Sequence, residues 1–171
     1  TTFCCVRYGN VLGSRGSVIP LWDHKIQNNQ PLPITHPGMT RFMLTLTQAI
    51  QLVFYALKNS KGGEIFVKKS PGSKIVDLAK AYAELITKNQ DYPIEFIGIR
   101  SGEKIDEVLI SQEEMRHTKE EKDYFVIERE LDYDNTFLEK TTHLSEYTSS
   151  STNHLTIQEL KQLMSNLNWV Q

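Results

Sequence analysis

The sequence has too few cysteines and too little charge imbalance for several classes of protein. Its 2 cysteines, Cys4 and Cys5, are neighbours on a predicted strand and point to opposite faces, which argues against a mutual disulfide. They are predicted to be small core residues of a protein in a reducing, cytoplasmic compartment. The 21 acidic residues outnumber 19 scattered basic ones, which argues against a nucleic-acid partner. No apolar run is long enough to predict a membrane span.

Several motifs of catalysis and metal binding are also missing. Neither G-x-x-x-x-G-K-[ST] nor G-x-S-x-G occurs, which removes the P-loop and serine-hydrolase interpretations. The 5 histidines are not spaced like the ligands of a zinc ion. The sequence therefore predicts no metal site.

The most informative segment that is present joins a strand, a glycine-rich turn and a helix start. The strand is 3–6, the turn holds Gly9, Gly13 and Gly16, and the helix begins near Val18. Glycines let a backbone approach a ligand closely, and the free N–H groups of a helix start attract an anion. A tight turn without ligand, a dinucleotide cradle and a phosphate or sugar-nucleotide contact all stay open. The dinucleotide interpretation is weak because no acidic residue ends a strand about 20 residues further on.

Strands and helices alternate along the chain, which predicts an α/β fold. In the helix predicted from Thr45 or Thr47 to Asn59, apolar residues recur at three- and four-residue spacing and are predicted to face the core. They are Ile50, Val53, Phe54 and Leu57. Further helices are predicted at 18–28, 74–88, after 104 through 110, at 111–114 from a capping-box pattern, and from 156. Strands are predicted at 64–67, 94–99 and 124–127, and 32–35 is predicted to be an edge segment because of its prolines. The segment 132–154 is predicted to be mostly irregular.

Unusual polar residues lie beside the ends of predicted strands. They are Asn10, Arg41, Arg100 and Glu103. Ligands of open α/β sheets bind at such ends. An arginine there can hold a diphosphate through paired hydrogen bonds, and a carboxylate suits ribose hydroxyls. A surface ion pair is the alternative for each residue alone, but several in comparable positions favour a ligand.

Five runs of the sequence together resemble one family. The runs are 7–20, 31–35, 39–42, 63–67 and 99–104. They are similar to the nucleotide-sugar 4,6-dehydratases and epimerases of bacterial polysaccharide biosynthesis, a branch of the extended short-chain dehydrogenase/reductases. The segments 131–134 and 146–163 resemble the C-terminal extension of the UDP-N-acetylglucosamine 4,6-dehydratase/5-epimerase subgroup.

The resemblance implies the C-terminal, substrate-binding portion of a Rossmann-like extended short-chain dehydrogenase/reductase fold, without the N-terminal cofactor-binding half. Residues 1–30 would be the last Rossmann strand, the glycine-rich loop and a helix; 31–130 the sugar-nucleotide-binding domain; and 131–171 a C-terminal extension with a terminal helix. The full-length enzyme would be a homo-oligomer.

The resemblance also implies which residues bind a UDP-sugar. Asn10 and Val18 would contact the sugar nucleotide, Leu32, Ile34 and Thr35 would line the uracil pocket, Arg41 and Arg100 would hold the diphosphate, and Glu103 would bind the ribose.

The reaction of the family uses NADP, bound mainly by the N-terminal half, to oxidise the sugar at C4. This acidifies the C5 proton and permits loss of water from C6, to which the hydride returns; some members also invert C5. No Tyr-x-x-x-Lys occurs here, so no catalytic residue is expected in the chain and the isolated chain is expected to be inactive. Ser101 and Asp106 depart from the residues usual in the family.

Three other interpretations stay open. The chain could belong to a UDP-sugar 4-epimerase of the same family, serve as a non-catalytic nucleotide-sugar-binding module, or act only in oligomerisation.

Overall fold

The computed structural model describes residues 1–129 and 145–166, in which helices and strands alternate. The helices are α1 (Val18–Gln27), α2 (Leu46–Asn59), α3 (Ile75–Thr87), α4 (Gln112–Met115) and α5 (Ile157–Ser165). The strands are β1 (Cys5–Arg7), β2 (Asn10–Val11), β3 (Leu32–Ile34), β4 (Thr40–Leu44), β5 (Ile65–Lys68), β6 (Gly72–Lys74), β7 (Ile94–Phe96), β8 (Val108–Ile110), β9 (Thr118–Glu120), β10 (Tyr124–Ile127) and β11 (Tyr147–Thr148). The predicted α/β class is confirmed.

The strands of this part of the chain form several small sheets. The largest has the order β1-β5-β10-β9, with β1 and β5 parallel. A second has the order β2-β4-β6, in which β2 runs parallel to β4. The parallel pair β3 and β7 and the antiparallel pair β8 and β11 complete the set. The segment 32–35 is thus an edge strand, as its prolines predicted.

The main core lies around α3, which packs between α1, β3 and α5. Trp22 of α1 is fully buried there, and its indole N–H donates to the carbonyl of Pro33 over 3.2 Å. Leu78 and Leu160 are almost completely buried in the same core. Because α1 and β3 share this core, the start of α1 and the end of β3 are held close together.

The glycine-rich turn packs closely against the strand β4. Phe42 is fully buried on β4, and a Cβ placed on Gly9 would lie 2.3 Å from the Cβ of Phe42. Only glycine fits at this approach. Gly13 and Gly16 have φ angles of 71° and 77°, in the left-handed region that favours glycine.

An ion pair joins β1 to the segment around α4. The guanidinium of Arg7 donates to both carboxylate oxygens of Glu114, over 2.7 and 2.8 Å, and to the carbonyl of Leu109 over 2.7 Å. The hydrogen bond from Arg7 holds the pKa of the Glu114 carboxyl below its ordinary value. The same carboxylate accepts from the N–H of Ser111, so the predicted capping box at Ser111 is confirmed.

The prediction of which face of α2 is buried is wrong. The buried residues of α2 are Ala49, Leu52 and Ala56, of which Leu52 and Ala56 pack against Phe66 of β5. On one flank of α2, Tyr55 stacks on Tyr124 of β10, with ring centroids 4.0 Å apart. Four other apolar side chains of α2 are exposed. These are Ile50, Val53, Phe54 and Leu57, with exposed fractions of 47%, 41%, 67% and 70%.

Other local predictions also differ from the structure. The segment predicted as a helix up to Ile110 ends in the strand β8, because Leu109 and Ile110 are buried against Phe42 and neighbouring residues. The strand predicted at 94–99 ends at Phe96. Cys5 is exposed and Cys4 half-buried, so the prediction of two core cysteines is wrong for Cys5, which lies on the edge strand β1.

The C-terminal predictions are described only in part. Of the segment predicted to be irregular, residues 145–154 contain β11, whose pairing partner β8 lies far away in the sequence. The helix predicted from 156 is confirmed as α5, with Leu160 and Met164 buried. The resemblance at 131–134 and the apolar position Leu167 lie outside the described residues.

Replacing Gly9 by alanine is expected to destabilise the fold. The new methyl group overlaps Phe42, and overpacking of this kind costs about 1–3 kcal/mol. Urea denaturation measures the free energy of unfolding. Gly38→Ala is the matched control: its Cβ meets only the side chain of His36, at 3.2 Å, and a change of at most about 0.5 kcal/mol is expected. Equal losses in the two variants would contradict the close approach at Gly9.

Candidate ligand-binding site

A cavity of about 540 Å³ lies between the glycine-rich turn, the start of α1, the end of β3, β4 and the segment after β7. Most of the residues predicted to bind a ligand converge here from distant parts of the chain. Asn10, Val18, Ile34, Thr35, Arg41, Arg100 and Glu103 line the cavity. Leu32 does not line it; its side chain is fully buried in the main core. The roles of these residues toward a ligand stay predictions.

The start of α1 forms one wall of the cavity. The first N–H groups of a helix have no partner within the helix, and together with the helix dipole they attract anions. Ser17 is the N-cap residue, yet its side chain makes no capping hydrogen bond. Its Oγ is buried and has no partner in the described part of the chain. A buried hydroxyl without a partner, beside free N–H groups, suits a phosphate oxygen.

Arg41 stands on β4 with its guanidinium largely occupied. Nη1 donates to the carbonyls of Thr40 and Ile105 over 2.7 and 2.9 Å, and Nη2 donates to the carbonyl of Lys104 over 2.8 Å. Nε faces a carboxylate oxygen of Glu107 at 3.4 Å. A guanidinium has five N–H donors, so among the described residues one N–H of Nη2 is left for a ligand. In this arrangement Arg41 offers a phosphate one hydrogen bond and its charge.

Arg100 and Glu103 bound a tight turn at the rim. The N–H of Glu103 donates to the carbonyl of Arg100 over 3.1 Å, and Gly102 has a φ angle of 80°. The Glu103 carboxylate accepts from the hydroxyl of Thr35 over 3.3 Å and from the N–H of Arg100 over 3.2 Å. Within residues 1–129 and 145–166, the guanidinium of Arg100 forms no hydrogen bond or ion pair. Arg100 is therefore an available cation and Glu103 an oriented acceptor.

Sequence analysis missed a buried group of hydroxyls behind the cavity. The Thr40 hydroxyl lies 2.7 Å from Oδ1 of Asp106 and 2.6 Å from Oγ of Ser149. Ser149 Oγ also accepts from the N–H of Glu107 over 2.9 Å. No local pattern signals this group, because Thr40 is 66 residues from Asp106 and 109 residues from Ser149.

The glycines of the glycine-rich turn are explained by the fold itself. Gly9 packs on Phe42, and Gly13 and Gly16 serve the backbone conformation of the turn. Each glycine thus has a reason that is independent of a cofactor.

Two further features are absent from the described residues. In 1–129 and 145–166, no helix combines the length and apolar composition needed to cross a membrane. The same ranges contain no group of three or more histidine, cysteine, aspartate or glutamate residues that could hold a metal ion.

Comparison with known proteins identifies the family. A family model described as polysaccharide biosynthesis protein matches residues 1–129. The chain belongs to this family. UDP-glucose 4-epimerases of Rickettsia canadensis and Rickettsia bellii are 44% and 45% identical to the whole chain, which spans 51% of their length. The X-ray structure of Pen from Bacillus thuringiensis is 39% identical, with a TM-score of 0.82 over 97% of this chain and 49% of that one.

These similarities confirm the coarser predictions. The family is one of polysaccharide biosynthesis, and the curated relatives are named as nucleotide-sugar epimerases, so an enzyme family is supported. The fold is part of an extended short-chain dehydrogenase/reductase fold, as the resemblance implied. The chain spans about half the length of the curated relatives that it matches.

Replacing Ser17 by alanine is expected to leave the free energy of unfolding unchanged within about 0.5 kcal/mol, because the hydroxyl has no partner to lose. Thr45→Ala is the comparison: the Thr45 hydroxyl accepts from the N–H of Gln48 in a capping box, and its loss costs about 1 kcal/mol. Thermal denaturation measures both. A cost at Ser17 equal to that at Thr45 would show that the Ser17 hydroxyl supports the fold.

Proposed function

We propose that the chain is the sugar-nucleotide-binding part of an NADP-dependent UDP-N-acetylglucosamine 4,6-dehydratase, with or without 5-epimerase activity. Its pathway would be bacterial capsule or O-antigen polysaccharide biosynthesis, and the enzyme would be a cytoplasmic homo-oligomer. One observation carries the binding part of the proposal. A single cavity joins the start of α1, the available Arg100 cation and the oriented Glu103 carboxylate to an apolar wall.

The polar groups suit the parts of a nucleoside diphosphate. The diphosphate would lie between the N–H groups at the start of α1 and Arg100, with the remaining N–H of Arg41 beside it. Glu103, held by Thr35 and by the N–H of Arg100, would accept from the ribose hydroxyls. Apolar side chains complete the wall and exclude water from the ligand. They include Ile34, Met39, Ile75, Leu78 and Ile97.

The chain would bind and orient the sugar nucleotide, with the chemistry supplied from elsewhere. The titratable groups lining the cavity in the described residues are Arg41, Arg100 and Glu103, which include no tyrosine or lysine. We therefore assign proton transfer to the part of the enzyme that this chain does not span. NADP, held mainly by that part, would supply hydride transfer at C4 and C6 of the sugar.

A second candidate is a UDP-glucose 4-epimerase. The names of the Rickettsia relatives favour it, at 44% and 45% identity. The same cavity would bind the same nucleotide, so the two candidates differ in the hexose and in the fate of the C6 hydroxyl.

Calorimetric titration of the 171-residue chain with UDP tests the binding part. UDP is expected to bind, and Arg100→Ala is expected to lower the affinity roughly 10-fold or more, because a charge-assisted hydrogen bond to the diphosphate is lost. Arg15→Ala is the matched control: Arg15 is exposed on the glycine-rich turn but does not line the cavity, and its loss is expected to change little. A folded chain that does not bind UDP would overturn the proposal for this cavity.

A turnover assay tests the reaction. The isolated chain with NADP is expected to convert neither UDP-N-acetylglucosamine nor UDP-glucose. A full-length enzyme containing this chain is expected to form, from UDP-N-acetylglucosamine, a product lighter by one water, which mass spectrometry detects. An isomer of unchanged mass from UDP-glucose would instead establish the 4-epimerase. Turnover by the isolated chain would contradict the division of labour between the two parts.

A further inference from the structure

The segment 104–107 is held against β4 on one side. The N–H of Thr40 donates to the carbonyl of Ile105 over 3.0 Å. The guanidinium of Arg41 donates to the same carbonyl and to that of Lys104, over 2.9 and 2.8 Å. The position of Arg41 in the cavity wall therefore depends on where these two carbonyls lie.

Ser149 holds the other end of this segment. Its N–H donates to the carbonyl of Glu107 over 2.9 Å, and its Oγ accepts from the N–H of Glu107 over 2.9 Å. Both backbone groups of Glu107 are thus paired with one residue. Ser149 is fully buried, so its hydroxyl has no access to water as an alternative partner.

The hydroxyl of Thr40 links the two sides, and the direction of its hydrogen bonds follows from the donor count. Thr40 has one hydroxyl proton, and the carboxylate of Asp106 at 2.7 Å can only accept it. Thr40 must therefore accept from the hydroxyl of Ser149 at 2.6 Å. The result is a directed chain from Ser149 through Thr40 to Asp106, in which Thr40 is 3% exposed.

We propose that the Ser149 hydroxyl is a positioning group for the ligand cavity. It holds the segment 104–107, and the carbonyls of that segment hold the guanidinium of Arg41. Neither Ser149 nor Thr40 lines the cavity, so both act through Arg41. This inference rests on the proposed binding of a nucleoside diphosphate. Asp106 is the last acceptor in this chain of hydrogen bonds.

The role of the Ser149 hydroxyl can be tested separately from the contacts of the Ser149 backbone. The carbonyl of Ser149 accepts from Nε2 of His154 over 2.9 Å. It also lies so close to Gly72 that a Cβ there would be 2.3 Å away. These contacts do not involve the side chain and persist in Ser149→Ala. The variant removes the acceptor of the Glu107 N–H and the donor to Thr40. At this end the segment 104–107 then keeps only the backbone hydrogen bond from the N–H of residue 149 to the carbonyl of Glu107.

The experiment compares UDP with uridine, since Arg41 is placed to contact the diphosphate rather than the nucleoside. Ser149→Ala and Thr40→Val are each expected to lower UDP affinity roughly 3- to 10-fold, the effect of losing one hydrogen bond, and to leave uridine affinity unchanged. The double variant is expected to lose no more than either single one, because both break the same chain. Thr40→Ser keeps the hydroxyl and is expected to retain UDP affinity. Ser150→Ala, at an exposed neighbour, is the control.

A measurement without ligand makes the result independent of the proposed function. In Ser149→Ala, NMR is expected to show faster hydrogen exchange at the amide of Glu107 and a shifted Nε–H signal of Arg41. Unchanged signals would overturn the positioning role whatever the affinities are. Equal losses of UDP and uridine affinity would also overturn it, because they indicate general destabilisation. A wild-type chain that binds no UDP would overturn the proposed function, and the NMR signals would still decide the role of Ser149.

Discussion

The hydrogen bonds of the Arg41 guanidinium are the constraint on which the candidate site depends. Its side chain is 13% exposed, so the charge must be paired within the protein. The carbonyls of Thr40, Lys104 and Ile105 and the carboxylate of Glu107 provide that pairing. Because the partners come from β4 and from the segment after the Arg100–Glu103 turn, satisfying one arginine brings two distant stretches of chain to the same cavity.

The strand β4 serves the site in three ways. Its parallel pairing with β2 places Asn10 opposite Met43. Phe42 lies directly against the glycine-rich turn, which can approach this closely because Gly9 has no side chain. Thr40 and Arg41 then anchor the segment that follows the Arg100–Glu103 turn. Because the residues of this short buried strand contact both the core and the candidate site, few substitutions along β4 would be tolerated.

Much of the candidate site could be predicted from the sequence because its residues lie in recognisable local settings. The polar residues beside strand ends were found, and all of them line the cavity. Leu32 was misplaced because it lies on the same strand face as Ile34, two residues further on, yet only Ile34 reaches the cavity while Leu32 is fully buried in the core. The group of Thr40, Asp106 and Ser149 was missed because hydroxyls far apart in sequence carry no pattern that joins them.

Local interactions determined what the sequence by itself could predict. Thr45 with Gln48, Ser111 with Glu114 and Thr156 with Glu159 form capping boxes within four residues, so the helix starts follow from the sequence alone. Tertiary structure decided which face of α2 is buried, whether 108–110 is helix or strand, and how the segment 104–107 is held. Each of these depends on partners supplied by distant segments, and a periodic pattern of apolar residues cannot specify which partner covers it.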